Sequence, residues 1–478
     1  MSQLDSSPDL TARRKLPDWW GWLVASALSV VIGVSWWPGF TYPLGDSTEG
    51  RILGRLGLQV RNFWEMGASA SGWGTNLQPY GDTYAHHPPL TNIAQIIVYA
   101  VAGEGEAQLR VFGYLAGFFT VWALIVLLRQ LAFGWAGPLV AVAALTSTTF
   151  FWAFGRLGGG FSASVGFLAA VAYLRRTEQP SAVAVGITAA LGAASVLLAW
   201  PAAAVAALGG MWLLAGRGWD RPTRLVAAAG VVTALAMVVW ILSATDLSEL
   251  AGQARVRSSG AGFTWGQFAD KQWVYAARLL PDWYLWLIVP SLAAGLVDAR
   301  TRPVVIITGG VALAWMVGPR EGAFSHEFWN LNWLLPITVG MAALVEFVKG
   351  WLNRVHASAA TIAVGVVTVL LSVAVLGRIG TTAFRVGADA GALLDRIEPP
   401  PGQTAVWVAP NVAAPRWASW YWDLPVRVVT PDGLSGIPSD DLILIRSDAV
   451  PAWMGIDDDE MLATEGAYAL VAGDALAD

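Results

Sequence analysis

Apolar stretches close to twenty residues long recur from Trp19 to about Val375, and they leave this chain few ways to fold. A helix needs about 20 such residues to cross a bilayer, and in lipid its backbone polar groups must be satisfied within the segment. The pattern predicts a polytopic α-helical membrane protein. Composition agrees: 55% of residues are hydrophobic, 13% are charged, and mean hydropathy is +0.53, far from the balance of a soluble domain. With no cysteine, disulfides, CxxC redox chemistry and thiolate metal sites are excluded. No basic patch of the kind nucleic acid requires is present.

Positive charge then orients the spans. Residues 1–18 are polar and carry Arg13, Arg14 and Lys15. The run that follows, to Phe40, is too long for a cleaved signal core and reads as an uncleaved signal anchor. Further basic clusters at Arg129, Arg175-Arg176, Arg217 to Arg224, Arg300-Arg302 and Lys349 with Arg354 mark the cytoplasmic side. Alternation then puts Asp46, Arg156, Trp200, Arg255 and His326 outside. It works only if segment 89–103, about 15 residues and closed by Gly103-Glu104-Gly105-Glu106, is a partial or re-entrant helix. About 11 full crossings are expected within 11–13 transmembrane helices, among them spans at roughly 130–152, 181–199, 201–216, 282–298 and 358–378.

Between and after the spans lie other kinds of sequence. Outer loop 41–88 holds a helical pattern from Glu49 to Met66, suited to the membrane interface. Outer loop 244–281 interleaves Arg255, Arg257 and Lys271 with Phe263, Trp265 and Trp273. From Arg385 onward the chain is acidic, by about 10 charges net, while the rest is mildly basic. Short apolar runs at 404–409, 426–430, 442–445 and 468–471, with a helix near Arg416–Trp422, predict a small α/β domain. The expected organisation is a cytoplasmic N-terminus (1–18), a membrane domain (19–380) and a C-terminal extracytoplasmic domain (385–478). No GxGxxG or Walker sequence occurs.

The rare polar residues collect on one side of this scheme. Asp46 and Glu49 follow the first span, and either carboxylate is a candidate general base. The bland alternative is a capping box, with Asp46 as N-cap and Glu49 three residues on. Both readings can hold together. His86-His87-Pro88-Pro89 opens the next segment; the prolines suit a first helical turn, but packing gives no reason for paired histidines. They are candidates for a phosphate, or for a metal with a carboxylate. His326-Glu327 precedes Phe328, Trp329, Asn330 and Trp333, which reads either as an interfacial aromatic belt or as a stacking platform for a sugar. Arg156, Arg255, Arg257, Lys271 and Arg320 are outer cations that suit a phosphate or lipid headgroups. No strong metal-ligand set is visible; a divalent metal held by Asp46, Glu49 and the histidines stays open.

Four of these stretches, in order, resemble the GT-C glycosyltransferases, in the branch of aminoarabinose transferases and protein O-mannosyltransferases. They are Asp46 to Arg51, His87-Pro88-Pro89-Leu90, Gly103 to Arg110, and His326-Glu327-Phe328-Trp329 through Leu334-Leu335-Pro336. The resemblance spans roughly 15–350. It implies an enzyme of the bacterial cytoplasmic membrane that moves a sugar from a polyprenyl-phosphate carrier to a lipid, glycan or protein acceptor, with inversion. Asp46 would be the base, supported by Glu49 and Arg51. His87 and Arg156 would lie near the phosphate, and His326 near the sugar or acceptor. The chain departs from the branch in three places. Gly158-Gly159-Gly160 stands where an acid often follows Arg156, Trp200-Pro201 where a lysine is common, and two residues separate Asp46 from Glu49. A catalytically silent relative that binds glycan or lipid within an assembly, or a transporter of lipid-linked glycans, are the alternative readings.

Overall fold

The computed structural model describes residues 18–35, 39–79, 81–83, 87–155, 157, 159–244, 247–260, 262–355, 364, 367, 370–371, 388–412, 416–451, 454, 456 and 460–476. His86, Arg156, the basic residues of the N-terminus and nearly all of the span expected at 358–378 lie outside these.

Among the described residues, three stretches are each long and apolar enough to cross a membrane: α4 (Glu106–Gln130), α10 (Arg221–Ala244) and Glu327–Leu352. The last is a 3-10 turn (Glu327–Trp333) continued by α16 (Leu334–Val355). One other expected span is broken, while the remaining breaks fall between segments that the sequence already separates. The broken span, at 130–152, is two helices, α5 (Ala136–Thr146) and α6 (Thr149–Phe154). Here the Ser147 and Thr148 hydroxyls donate to the carbonyls of Ala144 and Leu145, while Thr148 also caps α6 by accepting from Phe151 N–H. Such local bonds compete with helix continuation. α8 (Ala182–Leu198) and α9 (Trp200–Arg217) part at extended Ala199, just before Pro201. α12 (Trp265–Leu279) meets α13 (Asp282–Val297) at 114° across a break that contains Pro281. Loop 244–281 is thus largely helical, with α11 (Leu247–Ser259) ahead of α12. The segment expected to be partial is α3 (Leu90–Ala102), only 13 residues, stopped at Gly103 with φ +79.

Small residues pack the bundle. α7 (Gly160–Arg176) lies against α4 and α9, with Phe167 filling the space over Gly192 and Gly209. α14 (Arg302–Val317) crosses α9 and α16. The core runs through Leu124, Phe151, Leu168, Tyr284 and Val339.

The C-terminal domain contains a five-stranded sheet of order β4-β3-β5-β7-β6, with β3 (Val406–Val408), β4 (Val426–Val428), β5 (Leu442–Arg446), β6 (Met461–Glu465) and β7 (Tyr468–Ala472). β3 runs parallel to β4 and β5, whereas β7 is antiparallel to both its neighbours. Side chains alternate between two cores, as strand geometry requires. Trp407, Ile443 and Ile445 face one way. Val406, Val408, Leu444 and Leu470 face α17 (Ala388–Arg396) and α18 (Arg416–Trp422).

That second core continues into the membrane part. α2 (Thr48–Ala70) supplies Leu53, Leu56 and Val60, α4 supplies Leu109, and Trp417 and Trp420 of α18 close on them. The approach needs glycine: a Cβ on Gly54 would lie 2.6 Å from Trp417 Cα, and one on Gly57 2.5 Å from the Trp420 ring. The helix expected to lie in the interface therefore buries one face under the C-terminal domain, leaving Trp64 and Met66 exposed.

Candidate active site

A cavity of about 1470 Å³ opens between α2, α3, α4, α9, α11, α14 and the 3-10 turn. Its charged and titratable lining comprises Arg51, Arg55, His87, Arg257 and His326, set among apolar walls that include Phe112, Phe161, Leu208 and Trp315. Arg51 and Arg55 are four apart on α2, so both point to one face. Arg257 comes from α11 and His326 from the link between α15 (Arg320–Ser325) and the 3-10 turn.

Arg51 and His326 meet: Arg51 Nη2 lies 3.5 Å from His326 Nδ1. A guanidinium only donates, so Nδ1 accepts and the ring proton sits on Nε2. The imidazole is neutral. Burial first, then the charges of Arg51 and Arg257, hold its pKa down at about 4, with Glu321 opposing them. Arg257 Nη1 is 2.7 Å from Glu321 Oε2, and Ser325 Oγ donates to Glu321 Oε1 at 2.8 Å. The His326 ring stacks on Phe328 with centroids 5.3 Å apart, and Trp315 stacks on Trp329 at 4.9 Å along the same wall.

The acid loop lies elsewhere. Asp46 is 9% exposed, and Asp46 Oδ2 accepts from the Tyr468 hydroxyl of β7 at 3.0 Å; it does not line the cavity. The N-cap of α2 is Ser47, whose side chain accepts from Gly50 N–H. The capping box with Asp46 as cap is corrected accordingly: the shorter hydroxyl, one residue nearer the helix, takes the N–H. Glu49 forms a buried ion pair with Arg110 Nε at 3.1 Å, and Arg110 Nη1 also donates to the Phe40 and Tyr42 carbonyls. Glu49 is thereby tied to the scaffold.

Of the remaining expected residues, His87 and Arg257 reach the cavity wall. Arg255 is exposed and off that wall; Lys271 lies over the Tyr275 ring at 5.3 Å. Glu327 contacts Arg278. Arg320 lies over Trp265 at 4.6 Å. Arg55 was not anticipated, although its spacing from Arg51 on a helical pattern signals a shared face. Arg110 closes the Gly103–Arg110 stretch singled out above, but its pairing with Glu49, like that of Tyr468 with Asp46, carries no local signal because the partners are distant in sequence. Among the described residues no group of three or more His, Cys, Asp or Glu is arranged to hold a metal ion.

No protein-family model and no curated protein matches the sequence. Solved structures do match. ArnT from Cupriavidus metallidurans in the apo state is 15% identical with a TM-score of 0.52, over 96% of this chain and 98% of that one. The same protein bound to undecaprenyl phosphate gives 0.54 at 16% identity, over 95% and 98%. The apo oligosaccharyltransferase of Archaeoglobus fulgidus gives 0.52 at 13%, over 87% of this chain and 65% of that one. Mycobacterial arabinofuranosyltransferase AftD gives 0.51 at 15%, over 96% and 42%.

The chain shares the fold of these structures. At these identities the likeness is one of architecture, a multi-pass membrane body with a small sheet domain after it, and the site's chemistry rests on its own residues. The cavity here joins three guanidiniums and two imidazoles to a long apolar wall.

Proposed function

We propose that this protein is a membrane glycosyltransferase that moves a sugar from a polyprenyl-phosphate carrier to an acceptor on the outer face of a bacterial cytoplasmic membrane. The observation that carries the reading is the cavity, where Arg51, Arg55 and Arg257 border apolar surface. Guanidiniums bind phosphate through charge-assisted bonds, and an apolar wall suits the prenyl chain attached to it. The ArnT structure with undecaprenyl phosphate supports the same donor class.

In this reading the acceptor's oxygen or nitrogen attacks the anomeric carbon opposite the phosphate. The sugar–phosphate C–O bond breaks with its electron pair leaving on the phosphate, and the acceptor's proton goes to Asp46. That residue lies five residues before Arg51 but off the cavity wall, so this reading has the acceptor enter from the side of the acid loop. Attack from that side inverts the anomeric centre. Arg51, Arg257 and neutral His326 Nε2–H stabilise the charge that grows on the leaving group. His87 also lines the cavity. The sugar's C–H face lies against the Trp315–Trp329 wall.

The buried state of Asp46 and the Glu49–Arg110 pair favour one rival, a silent relative that binds the carrier without turning it over. Native mass spectrometry of the full chain in mild detergent tests the shared step. Wild type is expected to carry a polyprenyl phosphate that Arg51→Ala and His87→Ala lose. No carrier bound even after undecaprenyl phosphate is added back would sink both readings. Sugar transfer by wild type then separates enzyme from silent binder.

A further inference from the structure

Tyr468 and Asp46 are 422 residues apart in sequence, yet the tyrosine hydroxyl donates to the Asp46 carboxylate at 3.0 Å. The contact lies within a docked seam. Two residues before Asp46, the fully buried Leu44 donates its N–H to Tyr421 Oη at 2.7 Å, and Tyr421 donates onward to Glu106 Oε1 at 3.0 Å. Gly391 packs so closely on the Leu44 carbonyl that no Cβ fits there. Arg61 of α2 ties the far end, donating to the Trp420 carbonyl at 2.9 Å and lying over the Trp420 ring at 4.5 Å. With the apolar core of Leu53, Leu56, Trp417 and Trp420 between these ties, the C-terminal domain is fixed against α2, and Tyr468 is a fixed neighbour of the acid loop.

We propose that Tyr468 is a positioning residue for Asp46: the C-terminal domain supplies the hydroxyl that keeps this carboxylate ionised and aimed. The inference rests on the reading of Asp46 as the acceptor's base. A phenol can only donate to a carboxylate, and a bond to the charged form favours that form. A base held in one direction also loses less orientational freedom on the way to the transition state. Burial, and then the charge of Asp46, push ionisation of Tyr468 upward, so the shared proton stays on the phenol. Other charged and titratable groups also face the loop, and the charge of Arg446 acts on Asp46 as well. Arg446 of β5 lies 5.9 Å from the Tyr468 ring and pairs with Asp448 at 2.8 Å. Tyr421 is bonded to Glu106, and Glu49 to Arg110.

A tyrosine that merely docked the domain would change stability alone, so the test reads pH dependence. The full-length protein in nanodiscs is assayed for release of undecaprenyl phosphate from undecaprenyl-phosphate-linked pentoses and hexoses, between pH 4.5 and 8. Turnover falls on the acid side as the base takes a proton. Tyr468→Phe is expected to move that limb upward by about half to one pH unit and to lower kcat several-fold, with KM for the donor within about twofold. Arg61→Ala, which loosens the same seam without touching Asp46, should leave the limb in place. An acid limb that coincides with wild type in Tyr468→Phe, or that moves equally in Arg61→Ala, overturns the proposal.

Absence of turnover by wild type would be a failure of the transfer reading instead. The hold on Asp46 is then read by melting. The Tm gap between wild type and Tyr468→Phe is expected to be widest at neutral pH, to close on acidification, and to vanish in an Asp46→Asn background. A gap independent of pH overturns it.

Discussion

Asp46 and Glu49 look alike in the sequence, as two carboxylates three residues apart, and the fold gives them different surroundings. Glu49 accepts from Arg110 in a pair whose side chains are 12% and 3% exposed. Removing one partner leaves a buried charge, so Arg110→Ala is expected to destabilise the protein by about 3–5 kcal/mol, read as a lower Tm in a detergent melt. Asp46 Oδ2 accepts from the neutral hydroxyl of Tyr468, and the charge of Arg446 acts on the same carboxylate. Asp46→Asn should abolish transfer while carrier binding in native mass spectra persists; wild-type turnover in this variant would remove Asp46 from the chemistry. His326 gives a second pH-dependent prediction. Its pKa is near 6.5 in the unfolded chain and about 4 in the fold. Between those values the unfolded state binds the proton and the native state does not, so stability falls as pH drops from about 6.5 to about 4 and then levels off. His326→Gln should flatten this part of the Tm–pH curve; an unchanged slope would show that other groups cause it.

α2 shows what one element carries. Its N-terminal half turns Arg51 and Arg55 to the cavity, and its Gly54–Gly57 face receives Trp417 and Trp420. Gly54→Val would place side-chain carbon against backbone, and the cost is expected to exceed the about 1–3 kcal/mol of ordinary overpacking. The expected readout is faster proteolysis of the C-terminal domain together with a lower Tm; a variant as resistant as wild type would show that the seam has room. Other elements were plain in the sequence. The apolar alternation of 404–409 and 442–445 became β3 and β5, and the short apolar run before Gly103 became the 13-residue α3. The break between α5 and α6 was not legible, because Ser147 and Thr148 read equally well as residues inside a span. Their hydroxyls end the helix only where their bonds to the preceding carbonyls are chosen over helix continuation.

Across the whole molecule, the cavity joins groups from α2, α11 and the turn after α15, between positions 51 and 326. A carrier that binds there should stabilise the fold by mass action, by about 2.7 kcal/mol at a hundredfold excess over Kd. Undecaprenyl phosphate is expected to raise the Tm of wild type and to have little effect on the Arg51→Ala, Arg257→Ala double variant; equal shifts in both would place the lipid elsewhere. The sequence by itself determined the apolar helical body and the acidic sheet domain after it. Those follow from hydrophobic period and charge, which each segment carries alone. Tertiary structure decided which of the polar residues share a cavity, that Arg110 would neutralise Glu49, and that Tyr468 would reach Asp46. Such contacts depend on helix crossings and on glycine-sized gaps between distant segments, and no local spacing encodes them.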